Sequence, residues 1–147
     1  MGGQSSVDSN LIEYETITDN NNISASTEFA SAEYGVTREK RLRSDHQVTF
    51  VLNADLDEDG VPENGSVIVK VSISKSGKKK LESVVANGQP LPYDEDGNFK
   101  EPKEIQVNDT NWQAWVWLLE QNNFSQMAAD IRLGARGIIT VTRDREK

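Results

Sequence analysis

A chain of 147 residues carrying a net charge of −8 is long enough to bury one core, and too acidic to hold nucleic-acid phosphates without a segregated basic face. It has no cysteine, which excludes disulfides, zinc thiolate sites and cysteine nucleophiles, and its single histidine, His46, leaves few acid–base sets. Only 35% of residues are hydrophobic and mean hydropathy is −0.63, so part of the chain is expected in a tail, in long loops or in an assembly interface.

Residues 1–26 read as a flexible polar N-terminal arm in which Leu11 to Thr18 alternates well enough for a short strand. The opening Met1-Gly2-Gly3-Gln4-Ser5-Ser6 fits a myristoylation pattern at Gly2, although so short a pattern carries less weight than a plain flexible start. Residues 27–147 read as a single β-rich domain. From Thr27 to Arg38, Ala30, Ala32, Tyr34 and Val36 alternate with polar residues and predict a half-buried strand. Gln47 to Ala54 alternates through Val48, Phe50 and Leu52. Ser66 to Ser74 alternates most clearly, with Val67, Val69, Val71 and Ile73 on one side. Ser76-Gly77 marks a tight turn, and Leu81 to Ala86 returns as a strand. Pro90, Pro92 and Pro102 make 87–103 a loop or irregular hairpin, after which Ile105 and Val107 form a short strand.

The strongest helical signature lies at about 110–133. Thr110 and Gln113 have the spacing of a capping box, and Trp112, Trp115, Val116 and Leu119 recur as one apolar face. Phe124, Met127, Ala128 and Ile131 repeat that spacing out of phase, with the change at Asn122-Asn123. The reading is one kinked helix or two short ones, stopped by Gly134. Trp117 and Leu118 lie off the first face, so the helix is expected to be covered on more than one side. The outline also fits a helix-turn-helix, but Asp130 offsets Arg132 and leaves the second helix without the charge a DNA reader needs. Ile138 to Thr142 is a final strand. The sum is an α+β, β-rich fold: an antiparallel sheet, small barrel or sandwich with one late helix followed by a C-terminal strand.

Charge sits in the turns. Lys40, Arg41 and Arg43, then Lys75, Lys78, Lys79 and Lys80, make two turns basic, while Asp55, Asp57, Glu58, Asp59 and Glu63 make the turn between them acidic. In a meander from Thr27 onward, alternate turns share an end, which gives a dipolar body suited to head-to-tail contact. Asp94, Glu95 and Asp96 join the acidic end if 87–100 is one long connection. If Asn87-Gly88 is a hairpin turn, they move to the basic end and weaken the pattern.

Asp55-x-Asp57-x-Asp59-Gly60, with Glu63 at the ninth place, opens like an EF-hand calcium loop; alternating carboxylates before a glycine turn can converge on one ion. The twelfth place is Ser66 rather than a bidentate Glu, and the flanks read as strands, so a solvated hairpin tip outweighs an ion site. There is no Gly-x-Gly-x-x-Gly, Walker or Gly-x-Ser-x-Gly motif. The function expected is therefore a non-enzymatic structural subunit that assembles with itself or with neighbouring structural proteins and needs no cofactor. A bacteriophage virion component (tail tube, neck or capsid-associated) is the instance named by architecture. A calcium-binding interaction module is the first alternative. An acidic nucleic-acid-mimic inhibitor is the second, although a mimic should carry acid along a face rather than at tips. No membrane partner is expected, nucleic acid is disfavoured, and the location is virion or cytoplasm rather than secretion by a signal peptide.

Overall fold

The computed structural model describes residues 13–19, 24–33, 45–56 and 59–143. Among them the chain is α+β and β-rich. Four strands form an antiparallel run, β2 (His46–Ala54), β3 (Glu63–Ile73), β4 (Lys79–Ala86) and β5 (Gln89–Pro90), and β1 (Glu13–Asp19) adds in parallel to the free side of β2. A second sheet of two antiparallel strands pairs β6 (Glu104–Val107) with β7 (Gly137–Thr140). Neither closes into a barrel among the described residues.

Alternation sets the inner face as expected. Val48, Phe50 and Leu52 on β2 and Val67, Val69, Val71 and Ile73 on β3 are buried, while Lys70 between them is exposed. On β4, Leu81 and Val84 are both buried although an odd spacing should send them to opposite faces. A bulge resolves this: Lys70 pairs with Ser83 and Val71 with Leu81, so Glu82 is the extra residue and the phase flips there. A second irregularity falls where β2 meets the acidic loop. Asn53 Oδ1 accepts from Gly65 N–H, and Ser66 Oγ both accepts from Ala54 N–H and donates to Ala54 O.

The sheet packs against two helices, α2 (Trp112–Gln121) and α3 (Ser125–Arg132), separated by a turn in which Asn123 takes φ 68°. Two short helices is thus the form the late helical segment takes, and Gly134, at φ 120°, follows its end. Ala114 to Leu119 are all buried, Leu118 completely, so α2 is covered all round. The capping box does not form. Asn108 Oδ1 instead accepts from both Thr110 and Asn111 N–H, and the helix starts one residue later than the box would place it.

One expected element is corrected. The described part of the Thr27–Arg38 strand is helical: α1 (Ala25–Ala30) runs into a 3-10 turn at Ser31–Glu33. Ser24 supplies the cap, its Oγ accepting from Thr27 N–H at 3.3 Å, and alanine-rich composition favours helix over strand. Ala25, Glu28 and Ala32 are buried at helical spacing, which overrides the apparent alternation. The up-and-down meander counted from Thr27 is corrected with it, since the neighbour of β2 is the parallel strand β1. The expected strand at 11–18 appears as β1. Residues 1–12, with Gly2, and 20–23 of the N-terminal arm, and Tyr34, Val36, Lys40, Arg41, Arg43, Asp57 and Glu58, lie outside the described residues, while 24–26 at the end of the arm belong to α1 and its cap.

Candidate functional site

Helix α2 looks onto two different clefts. Trp115 and Trp117 are two residues apart, about 200° around a helix of 3.6 residues per turn, so they face opposite ways. Both are buried, and neither indole N–H has a hydrogen-bond partner among the described residues. An unmade bond of this kind costs about 1–3 kcal/mol.

Trp117 lines a cleft of about 360 Å³ with Asp55, Leu56, Gly60, Glu120 and Gln121. One wall is the acidic loop. Asp55 accepts from Asp59 N–H at 3.1 Å and Gly60 N–H at 2.8 Å, Asp59 accepts from Val61 N–H, and Glu63 accepts from Leu56 N–H. The loop is thus wound around its own carboxylates, with Gly60 at φ 91° completing the turn. One carboxylate oxygen each from Asp55, Asp59 and Glu63 lies within 4.8 Å of the others, close enough to share a cation. Opposite them Glu120 is held by Arg132 at 2.7 Å.

Trp115 lines a cleft of about 480 Å³ with Gln89, Glu104, Gln106, Asn108 and Asn111. Asn111 ties three segments together: its Nδ2 donates to Gln89 Oε1 (3.2 Å) and Gln106 O (3.0 Å), while its Oδ1 accepts from Asn108 N–H. The lining is neutral apart from Glu104 and contains no basic side chain. Sequence reasoning missed this cleft. Its parts lie on β5, on β6 and before α2, and carboxamides carry no motif.

The four lysines of the basic tip are less available than their run suggests. Lys79 Nζ donates to Ala30 O and sits 5.3 Å above the Phe29 ring, and Lys80 lies 3.7 Å from Glu82. Asn87-Gly88 is a true turn, with positive φ at both residues, and the chain returns along β4 so that Leu81 N–H donates to Glu95 O. Asp94, Glu95 and Asp96 therefore stand at the lysine end. The acidic end keeps its character, and the basic end is mixed. Asp94 spends its carboxylate on Asp96 and Asn98 N–H, and Gly97 abuts Phe29 so closely that a Cβ there would overlap the ring.

Two described arginines of the C-terminal part are also engaged. Arg136 pairs with Asp109 and covers Trp112, and Arg143 pairs with Glu101 and covers Phe124. Tyr93 stands among Phe99, Asn122 and Ser26. Burial raises its hydroxyl pKa, and hydrogen bonds to Asn122 and Ser26 partly offset that. Three large apolar side chains are exposed among the described residues: Val61 at the acidic loop (63%), Leu133 after α3 (88%) and Ile138 on the outer face of β7 (71%). No helix is long and apolar enough to cross a membrane among the described residues.

No protein-family model matches the chain, and neither a curated protein nor a solved structure does.

Proposed function

We propose that the chain is a non-enzymatic structural subunit that assembles with copies of itself or with neighbouring structural proteins, a virion component such as a bacteriophage tail-tube, neck or capsid-associated protein being the instance. The observation that carries this reading is the outer face of the small sheet. Ile138 and the nearby chain position Leu133 expose large apolar side chains that a monomer gains nothing by exposing. β7 is also a short edge strand of a two-stranded sheet, open to pairing on its other side among the described residues. The acidic end of the large sheet supports a directional contact, though the mixed lysine end makes charge a steering term and leaves cohesion to the apolar face. The test is sedimentation velocity and negative-stain microscopy over a concentration series at low and high salt. The chain forms oligomers or rods, and Leu133→Glu with Ile138→Lys returns it to monomers that melt as before. Single particles under all conditions overturn the reading.

The convergence of Asp55, Asp59 and Glu63 favours a second reading, a calcium-binding module. Trp117 lines the same cleft as Asp55, so it can sensitise a lanthanide bound there. Terbium luminescence under indole excitation, displaced by calcium and lost in Asp59→Ala, is the expected result; no luminescence ends this reading.

A further inference from the structure

The Trp115 cleft lies between two sheet edges. Val141 N–H donates to Lys103 O at 2.9 Å, which makes Lys103 and Val141 a bonded pair of the β6–β7 ladder. Bonded and non-bonded pairs alternate in antiparallel strands, so Ile105–Ile139 and Val107–Gly137 are the next bonded pairs. The backbone groups of Glu104 and Gln106 therefore point away from β7, toward the cleft. Gln106 O meets Asn111 Nδ2. Gln106 N–H and both backbone groups of Glu104 have no partner among the described residues. Across the cleft stands Gln89 on β5, the last strand of the large sheet.

We propose that this cleft takes an extended polypeptide segment as an added strand, and that the segment is the N-terminal stretch, residues 1–12, of a second copy of the chain. Backbone donors and acceptors on an unpaired edge supply affinity, and carboxamides beside them can pair with the peptide groups of any extended chain. Gln4, Ser5, Ser6, Ser9 and Asn10 make the stretch polar, and its side chains carry one charge, at Asp8, so a nearly neutral cleft does not repel it. Position selects the neighbour over the same molecule. β1 begins at Glu13 opposite His46, which faces Ile73 and, through it, Lys79, so β1 starts at the lysine end. Gln89 pairs with Ala86, which faces Val67 and Leu52, near the acidic end and on the far edge of the sheet. Head-to-tail stacking brings one copy's lysine end against the next copy's acidic end. Twelve extended residues span roughly 40 Å, ample for that junction.

This deepens the assembly reading and rests on it for the identity of the partner copy. The test titrates a synthetic peptide of residues 2–12 into the full chain labelled with ¹⁵N. The amides of Gln89, Glu104 and Gln106 shift, and the peptide dissolves preformed assemblies. Gln106→Pro deletes one edge N–H while the ladder bonds run through Ile105 and Val107, so it weakens peptide binding about tenfold or more. Gln106→Ala keeps the N–H and changes binding by less than about threefold. Unmoved amides at millimolar peptide, or Gln106→Pro binding as well as the native chain, overturn the inference. A chain that assembles equally well as Gln106→Pro removes this contact and leaves assembly standing. Peptide bound at the cleft of a chain that never assembles removes the assembly reading and leaves the strand site.

Discussion

The two sides of α2 carry the same anomaly, a buried indole N–H without a partner, in opposite surroundings. The Trp117 side faces a loop of carboxylates that satisfies its own backbone and concentrates negative charge. The Trp115 side faces carboxamides that bridge two sheets and leave strand edges unpaired. Tryptophans two positions apart on one helix thus adjoin an electrostatic site and a hydrogen-bonding site. What decides the chemistry is the element each reaches, not the residue itself.

The largest effect comes from breaking both sides together. Leu118, on the helix that both sides share, is completely buried, and Leu118→Ala should cost about 2–5 kcal/mol in urea unfolding and loosen the support of both clefts. Asn111→Ala should cost about 1–3 kcal/mol through lost hydrogen bonds, with amide shifts confined to the Trp115 side. Shifts reaching Asp59 would show that the sides are coupled. Asp55→Asn removes the charge and one of the two acceptor oxygens that hold the Asp59 and Gly60 N–H groups, so it should cost about 0.5–1.5 kcal/mol while removing terbium luminescence from the Trp117 side.

The smallest effect serves as a control, because Tyr93 lines neither cleft. Its hydroxyl pKa is raised by burial, so the folded state keeps the proton longer than the unfolded chain. Stability is then fully present below the unfolded value near 10 and falls as pH rises through the higher folded value. Tyr93→Phe should flatten that alkaline fall and leave neutral pH behaviour unchanged, as read by urea midpoints across pH.

Legibility in the sequence follows locality. Val67 to Ile73 alternates because each side chain answers to its own strand, and the two phases at Trp112 and Phe124 register a turn written locally at Asn122-Asn123. Ala30 and Ala32 misled because small residues fit either period, while the informative signal was the cap at Ser24. Asn108 outcompeted Thr110 through an interaction two residues back. The clefts were illegible for a different reason. Asp55 meets Trp117, and Gln89 meets Asn111, across separations that no periodicity spans. The convergence of Asp55, Asp59 and Glu63 lay between these cases: the residues were legible, but their meeting was not.

The parallel placement of β1 bears on how the molecule comes together. The hairpins among β2, β3 and β4 close over short connections, whereas residues 20–45 separate the end of β1 from the start of β2. Closure entropy grows with that length, so the meander should form first and β1 should dock last, leaving the outer side of β2 bare in the interval. Two refolding molecules in that interval can trade first strands, and a refolding phase that slows or branches with rising protein concentration is the kinetic mark of such an exchange.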